Sequence, residues 1–464
     1  MTSPIHHARE EASNRVRAGA ARYEPRALRT YTPTQAVLAR SAGAFHWTPE
    51  GRRLYDFTSG VLVANLGHNP QTWMRRFNAH MGWDAANAQV KGAPAGYLPA
   101  LPMTAYNAAT PLEIEATRRL VETLQSRPGG QRLEQVLWAA SGSEAIQKAL
   151  WAALARDRTR DMIIATRYGF HGKKGLAGAV TGSEADHDRD PRVRFISFPT
   201  AECIDLSLRG RPFDPAPYRR ELDALLGEFG RRLTVLITEP YLGGGGSFHP
   251  PAAYLQTLQA FCRENDLVFI LDEVQSNFGR TGELFAYETY GLEPDIVVLG
   301  KGLGNGVPTA AAAGRADLFA ALDYGEGSDT WSANPLCCAA VLATLEEFAA
   351  SDVLGRSRRA SAVVEEGLLR LKELPFIAHV RGEKGGMVWG VETRDFADRT
   401  AGEWANLAVL ACYRGEGGDG VHLMGPLAKK VLRIAPPLIL TEAEAREAGG
   451  LMHRVLKRAA DAAG

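Results

Sequence analysis

The stretch LVFILDEVQSNFGRTGELFAYETYGLEPDIVVLGK, residues 267–301, decides the predicted fold. Two apolar runs lie in it and each leads to a charged side chain: Leu267–Leu271 ends at Asp272, and Ile296–Leu299 leads to Lys301. Short continuous runs of Val, Ile and Leu are typical of strands buried on both faces of a parallel sheet. Because ligands bind outside the carboxyl ends of such strands, we expect Asp272 and Lys301 to lie at one crevice.

Other apolar runs have the same character. They are Gln135–Ala140, Met162–Ala165, Val193–Phe198 and Leu233–Ile237. Segments with helical spacing, such as Ala253–Glu264, lie between several of them. Strands that alternate with helices predict an α/β fold, in which a mostly parallel large-domain sheet is flanked by helices.

The C-terminal part predicts a smaller α+β domain. Asn334 is a good N-cap, and it opens a long helical region that extends to about Leu374. Ile377–Val391 and Val431–Ile434 have the composition of strands, and Thr441–Glu444 is a capping box that begins the last helix.

Three segments are therefore expected. Residues 1–65 form an N-terminal arm and a hairpin that contribute to the small domain, residues 66–340 form the large domain, and residues 341–464 form the C-terminal small domain. Within them we expect a hairpin at Phe45–Gly60, a loop at residues 82–112 and a helix at Leu112–Leu124.

Composition favours a cytoplasmic protein that binds small molecules. Lys plus Arg equals Asp plus Glu at 53 each, so no basic excess indicates nucleic acid. No apolar run approaches the length of a membrane span, and the polar N-terminus lacks a signal-peptide core. The five cysteines show no C-x-x-C pattern, which predicts reduced, buried thiols, and we expect no metal site.

The segment Ser141-Gly142-Ser143-Glu144 follows a predicted strand and precedes an Ala-rich helix. Free backbone N–H groups and the positive end of the helix dipole favour a bound phosphate there. A capping box between Ser141 and Glu144 explains the same residues, and both interpretations can hold together.

Two further strand ends carry weaker signals. Phe170, followed by His171 and Gly172, could stack on a flat ring, although an aromatic side chain at a strand end usually belongs to the core. Glu239 precedes Pro240, and a Glu at this position often only hydrogen bonds to a neighbouring loop.

Asp272 and Lys301 are the strongest pair. Lys301 lies in the glycine-rich segment Gly300–Gly306, which leaves room for a large ligand against the backbone. A partly neutral amine can form an imine with an aldehyde, and a carboxylate can keep a pyridine nitrogen protonated. This is the chemistry of pyridoxal 5'-phosphate (PLP). A buried salt bridge between the two residues is the alternative.

The chain resembles a class III (omega-type) aminotransferase of the fold-type I PLP enzymes. The similarity extends from the hairpin to the last helix. The motifs that carry it are SGSEA at 141–145, FHG at 170–172, LDEVQSNFGRTG at 271–282, VLGKGLGNGVP at 298–308 and LRIAPPL at 432–438.

The resemblance implies a role for each motif residue. Lys301 forms the internal aldimine and then moves the proton between substrate and cofactor, while Asp272 pairs with the pyridine nitrogen. Gln275 lies near the phenolic oxygen of the cofactor, and Arg433 binds a substrate carboxylate. The remaining cofactor-binding residues are Ser141, Gly142, Ser143, Phe170, His171 and Glu239. Thr330 is expected to reach the cofactor phosphate that is bound to the partner subunit of a homodimer.

One departure concerns the substrate. Many relatives carry EPxQGEGG, in which the second Glu covers the arginine when no α-carboxylate is present. Here Gly244 replaces that Glu, so Arg433 is expected to remain available to a carboxylate-bearing substrate, or the glycines leave space for a bulky amine. Val61 and Gly244 are the further candidates for contact with substrate.

Transamination from an amine or amino acid donor to a keto acid acceptor, through pyridoxamine phosphate, is the reaction that the resemblance implies. A PLP-dependent racemase, aminomutase or decarboxylase on the same fold is the alternative, because the Lys–Asp pair does not select the bond that breaks. A third hypothesis is that the protein is a non-catalytic PLP-binding or structural homologue.

Overall fold

The computed structural model describes residues 5–83, 94–186 and 189–463, so residues 84–93 of the predicted loop lie outside the described part. The described strands, in chain order, are β1 (Arg40–Ala42), β2 (Phe45–Trp47), β3 (Arg53–Asp56), β4 (Gln135–Ala139), β5 (Met162–Thr166), β6 (Val193–Ile196), β7 (Leu233–Thr238), β8 (Val268–Asp272), β9 (Ile296–Leu299), β10 (Ala310–Gly314), β11 (Ile377–Gly382), β12 (Trp389–Thr393), β13 (Asp419–His422) and β14 (Val431–Ile434).

The helices are numbered in the same way. They are α1 (Glu11–Tyr23), the one-turn element α2 (Ser59–Leu62), α3 (Gln71–Met81), α4 (Pro111–Gln125), α5 (Gly142–Ala155), α6 (Gly175–Ala179), α7 (Ala216–Phe229), α8 (Ala252–Glu264), α9 (Ala286–Tyr290), α10 (Ala316–Phe319), α11 (Pro335–Ala350), α12 (Val353–Arg370), α13 (Ala401–Arg414) and α14 (Glu442–Asp461).

A seven-stranded sheet forms the centre of the larger part, in the order β4-β10-β9-β8-β7-β5-β6. The strands from β9 to β6 in this order are parallel, and β10 is antiparallel to both of its neighbours. Every residue of β5, β7, β8 and β9 is buried, as their continuous apolar sequences predict. The predicted mostly parallel α/β sheet is therefore confirmed.

Helices cover both faces of this sheet because its side chains alternate between two cores. One core joins α5 and α6 to residues such as Ile163 and Ile270. The other joins α4, α8 and α11 to residues such as Ile164 and Phe269. Since each fully buried aliphatic side chain contributes about 1.5–3 kcal/mol, these two layers hold the carboxyl ends of the strands rigidly.

Two smaller sheets lie outside it. The predicted hairpin is present as β2 and β3, which are antiparallel, and β3 pairs in parallel with β13 from the C-terminal part. Strands β11, β12 and β14 form an antiparallel sheet. A separate hydrophobic core joins both sheets to α12, α13 and α14. The division of the chain at residues 65 and 340 stays a prediction, and this second core supports it.

Three sequence predictions change in detail. The run Ile377–Val391 is two strands, β11 and β12, rather than one. The helical region after Asn334 is interrupted near Asp352, whose side chain caps α12 by accepting from the Gly355 N–H. Val193–Phe198 ends as a strand at Ile196.

The predicted helix starts are confirmed. Asn334 Oδ1 accepts a hydrogen bond from the Cys337 N–H at 3.0 Å, and Thr441 and Glu444 form both bonds of a capping box. All five cysteines are free and buried, as expected. Within the described ranges, no helix has the length and apolarity needed to cross a membrane.

Candidate active site

Five strands of the large sheet run in the same direction, and their carboxyl ends border one cavity of about 380 Å³. The predicted residues that line it come from the segments after β4, β5, β7, β8 and β9, and they are Ser141, Gly142, Ser143, Phe170, His171, Glu239, Asp272, Gln275 and Lys301. The structure therefore brings together the residues that the sequence assigned to one crevice. Four predicted residues, Val61, Gly244, Thr330 and Arg433, do not line this cavity.

Asp272 is buried at the end of β8 and is held from two sides. The Val274 N–H donates to its Oδ1 at 3.0 Å, and His171 Nδ1 lies 2.7 Å from its Oδ2. Because a carboxylate only accepts, His171 carries a proton on Nδ1. The His171 Nε2 atom is buried without a hydrogen-bond partner. This arrangement orients Asp272 and leaves further acceptor capacity toward the cavity.

Lys301 begins a short 3-10 turn just after β9 and has a positive φ of 46°. Its Nζ forms no ion pair or hydrogen bond with any described residue, so the alternative of a buried Asp272–Lys301 salt bridge is wrong. Burial lowers the pKa of the Lys301 amine to about 8, although the charges of Asp272 and Glu239 oppose this shift. A substantial fraction of the amine is therefore neutral near pH 8, as a nucleophile or base requires.

The N-terminus of α5 is open to an anion. Ser141 caps the helix by accepting from the Glu144 N–H at 3.3 Å, whereas the N–H groups of Gly142 and Ser143 have no acceptor among the described residues. Glu144 accepts from the Ala140 N–H at 3.1 Å rather than from Ser141, so the capping box is displaced by one residue. The Ser141 cap therefore leaves the N–H groups of Gly142 and Ser143 free, and free N–H groups at a helix N-terminus can bind a phosphate.

Glycines permit the close packing around this helix end. A Cβ on Gly142 would lie 3.0 Å from Val274 Cγ1, and a Cβ on Gly172 would lie 2.6 Å from Ser143 Oγ. Gly172 also has a φ of 155°, which other residues rarely adopt. The glycine in each motif is therefore required by the approach of another chain segment.

Phe170 and Glu239 form one wall of the cavity. Phe170 is 41% exposed, so its ring is available to a ligand, and its N–H donates to Glu239 Oε2 at 2.9 Å. Glu239 Oε1 accepts from the Gly243 N–H at 3.2 Å, and burial raises the pKa of Glu239 to about 7. A Cβ on Gly244 would lie 3.1 Å from Phe170 Cβ, so Gly244 packs directly behind this wall.

Arg433, in β14, is buried and has no acidic partner among the described residues. Its Nη1 donates to Gln275 Oε1 at 3.2 Å, its Nη2 lies 3.8 Å from Met424 Sδ, and its Nε is unpartnered. Burial lowers the pKa of Arg433, but a guanidinium keeps its charge at neutral pH. Through Gln275, which lines the cavity, Arg433 is placed beside the site with an unneutralised positive charge.

Val61 lies in α2, a one-turn element with an uncommon backbone. The φ values of Ser59, Gly60, Val61 and Leu62 are 49°, 58°, 69° and 62°, so the turn is left-handed. Each non-glycine residue in this conformation costs roughly 1–2 kcal/mol. The Val61 side chain is 44% exposed. Strain concentrated in this way is typical of functional sites.

Thr330 is exposed and does not line the cavity. The loop that carries it is held by Asp329, whose Oδ2 lies 2.7 Å from the Nζ of Lys148 on α5. Asp329 Oδ1 also accepts from the N–H groups of Trp331 and Ser332. Thr330 is thus fixed in position on the surface, anchored to the helix that begins at the phosphate site.

Several lining residues were not predicted. Val63, Val274 and the segment 306–309 border the cavity. Val274 and residues 306–308 lie inside the quoted motifs, and Val63 ends the segment around Gly60–Val63 that was expected to influence substrate choice, but no individual role was predicted for them because their side chains contribute shape rather than reactive groups.

The comparisons with known proteins agree with this geometry. A model of the family described as aminotransferase class-III matches residues 96–456. The chain belongs to the class III aminotransferases. The acetylornithine aminotransferase of Caldanaerobacter subterraneus is 30% identical to this aminotransferase over 437 residues, which cover 92% of this chain and 96% of the relative.

Two further relatives are also named as aminotransferases or transaminases. The 4-aminobutyrate aminotransferase of Mycobacterium leprae is 28% identical over 432 residues, which cover 90% of this aminotransferase and 90% of the relative. The structure of an (S)-enantioselective omega-transaminase from Thermomicrobium roseum superposes with a TM-score of 0.78 at 25% identity, covering 96% and 98% of the two chains. The chain is therefore a PLP-dependent transaminase, and these relatives give no support to the racemase, aminomutase or decarboxylase alternative.

The cavity of the aminotransferase fits PLP. It contains an unpaired lysine amine in Lys301, a buried and oriented carboxylate in Asp272, and an exposed aromatic ring in Phe170. The free N–H groups of Gly142 and Ser143 complement a phosphate. Each part of the cofactor therefore has a matching group in this chain.

The lowered pKa of Lys301 predicts how cofactor capture by the apoenzyme depends on pH. Only the neutral amine attacks an aldehyde, so the rate should rise about tenfold per pH unit below the pKa of about 8 and level off above it. Borohydride reduction followed by mass spectrometry of the Lys301 peptide would measure the captured fraction. A rate that continues to rise above about pH 10, the ordinary range of lysine, would contradict the shift.

Proposed function

We propose that this transaminase passes an amino group from an amine or amino acid to a keto acid whose carboxylate binds Arg433. The observation that carries the proposal is the buried Arg433 guanidinium, which has no acidic partner in the described chain and is hydrogen bonded only to Gln275 and Met424. A buried charge without a counterion is costly, and an incoming carboxylate offsets that cost by a bidentate contact.

The other site residues have complementary roles in the proposal. Bound PLP supplies a ring that withdraws electrons from the substrate carbon. When PLP is bound, Asp272, oriented by His171, would keep the ring nitrogen protonated, and Phe170 would offer its face to the ring. Ser141, Gly142 and Ser143 would hold the phosphate. Lys301 would attach the cofactor and, as a neutral amine, would move the proton at the substrate carbon.

The segment around Gly244 supports permanent availability of Arg433. No acidic side chain lies at residues 243–246, and Gly244 packs against Phe170 with no room for a larger residue unless Phe170 moves. We therefore propose substrates that carry a carboxylate in reach of Arg433, or a bulky amine that displaces the Phe170 side chain from Gly244. The exposed Val61 side chain on the strained turn contributes to that substrate contact.

Arg433→Gln should lower kcat/KM for keto acid acceptors about 10–100-fold. The reason is the loss of charge-assisted hydrogen bonds, which contribute about 1.5–3 kcal/mol. Half-reactions followed by absorbance, with pyruvate or 2-oxoglutarate as acceptor and an amine without a carboxylate as donor, would measure the effect.

The amine half-reaction serves as the internal control because it needs no carboxylate contact. Unchanged keto acid kinetics in Arg433→Gln would rule out the proposed role of Arg433. An equal loss in both half-reactions, with PLP still bound, would show a general defect in the site and would also reject selective carboxylate binding.

We also propose a homodimer in which Thr330 of each subunit reaches the cofactor phosphate of its partner. The position of Thr330 on the surface supports this, as do the exposed aromatic side chains of Trp331 and Tyr324 on the same loop. The five free cysteines support a reducing compartment, and we propose the cytoplasm.

A further inference from the structure

A cluster of histidines around one aspartate lies outside the cavity. Asp56 ends β3 and is buried, with His68 Nε2 at 2.7 Å and His46 Nε2 at 3.5 Å from its Oδ2. The three ligand atoms lie within 4.8 Å of one another. His422 adds a third imidazole, because its ring centroid is 5.6 Å from that of His46 and β13 pairs it directly with Asp56.

Two nitrogen atoms of this cluster have no partner. His46 Nε2 and His422 Nδ1 are both buried without a hydrogen bond, and the His46 side chain is 3% exposed. A buried imidazole nitrogen without a hydrogen-bond partner is unfavourable, and a cation bound next to Asp56 would give His46 Nε2 a partner.

The outer contacts are those of metal ligands. His46 Nδ1 lies 2.7 Å from Ser41 Oγ, which orients the ring and leaves Nε2 facing Asp56. Asp56 Oδ1 accepts from the Thr58 N–H, the Thr58 hydroxyl and the Ser59 N–H, whereas Oδ2 faces the imidazoles and is hydrogen bonded to His68 Nε2. Ligating imidazoles and carboxylates are typically held by such a second hydrogen bond.

We propose that His46, Asp56 and His68, with the His422 imidazole beside them, form a site for a divalent transition metal, with Zn²⁺ as the best chemical match. Imidazole and carboxylate ligands suit Zn²⁺. Bonds of about 2.0–2.2 Å in a tetrahedron separate the ligand atoms by roughly 3.3 Å. The observed separations of 2.7 and 3.5 Å lie on either side of this value. The sequence showed no such site, because residues 46, 56, 68 and 422 meet only in the fold.

The position of the site links it to substrate contact. Asp56 holds the residues that begin the left-handed turn α2, and the Ser59 hydroxyl donates to the Ala435 carbonyl at 2.7 Å, two residues beyond Arg433. A bound metal would therefore brace the strained turn against β14. It would act as a structural ion and not at the reacting atoms.

Zinc titration of the metal-free holoenzyme tests the proposal. We expect one Zn²⁺ per subunit by mass spectrometry of metal content, a nitrogen- and oxygen-only first shell with imidazole scattering in X-ray absorption, and a higher Tm with Zn²⁺. His46→Gln should weaken Zn²⁺ binding at least about tenfold, the smallest loss seen even for outer partners of a ligand. Competition with a chromogenic chelator measures the affinity.

His80→Gln is the matched control, since His80 pairs with Glu346 between α3 and α11, away from the cluster. This control should keep wild-type affinity. The proposal would be overturned if the wild-type enzyme bound no Zn²⁺, or if the wild type and His46→Gln bound Zn²⁺ with equal affinity. Either result would show that these residues form a hydrogen-bonded cluster and not a metal site. Neither outcome depends on the role of Arg433 in catalysis.

Discussion

Replacement of Lys301 by alanine is expected to lower kcat/KM by about 10⁴-fold or more. Removal of a positioned acid–base group alone costs up to about that factor, and Lys301 is the unpaired amine in the cavity that can also attach the cofactor. Its pKa of about 8 keeps a substantial neutral fraction available near that pH. Initial rates with an amine donor and a keto acid, at saturating PLP, would measure the loss.

The control for this variant is Lys174→Ala, at the start of α6, which removes an exposed lysine outside the cavity. It should retain wild-type rates. Lys301→Ala should remain folded and should hold PLP only reversibly, so its cofactor should be removed by dialysis. Full turnover by Lys301→Ala would refute the assignment of this lysine.

Mixed dimers extend the same experiment to Thr330. If Thr330 serves the partner, a dimer of one Lys301→Ala subunit and one Thr330→Val subunit contains one complete wild-type site and one doubly altered site. Its activity should approach half that of the wild type. The comparison requires that the Thr330→Val homodimer itself is impaired, because wild-type activity in that homodimer would show that Thr330 is not needed. Mixed-dimer activity no higher than half that of an impaired Thr330→Val homodimer would show that Thr330 acts within its own subunit.

Asp272→Asn is expected to lower kcat about 10²–10³-fold, the range found when one preorganised electrostatic group is removed. The amide keeps the size of the side chain and can still accept from the Val274 N–H, but it carries no negative charge. A neutral group cannot hold the ring nitrogen of the cofactor protonated. Single-turnover rates, together with the absorption spectrum of the bound cofactor, would measure the change.

Asp205→Asn provides the comparison, because Asp205 is also a buried aspartate but pairs with Lys372, far from the cavity lining. This variant should lose stability without losing kcat per folded molecule. If Asp272→Asn kept wild-type kcat, the carboxylate could not be the group that tunes the cofactor.

The fold was predictable where burial left a clear pattern. Strands β5, β7, β8 and β9 are buried at every position, so their sequences are continuous apolar runs that end at the sheet edge. Strand β10 has the sequence AAAAG, which favours a helix by propensity, and it was missed. Its small side chains suit the interior of the sheet, where α5 packs on one face and a second core covers the other.

The candidate site was predictable to the same extent. Reactive groups such as Asp272 and Lys301 were found because they follow buried strands directly. Val274 carries no chemical signal, and although Val61 was named from the sequence, its left-handed conformation opposes its intrinsic preference and was not predicted. The His46–Asp56–His68 cluster depends on strand register, which is set by tertiary pairing.

The parallel pairing of β3 with β13 has a consequence for the order of assembly during synthesis. Arg53 and Asp419 are 366 residues apart, so closing this loop costs about 5 kcal/mol of chain entropy. At 5–20 residues per second, the ribosome needs roughly 20–70 s to make the intervening chain. During this time strand β3 of the N-terminal hairpin lacks its β13 partner, so one edge of the hairpin stays unpaired. The part of the site next to α2 is therefore completed last.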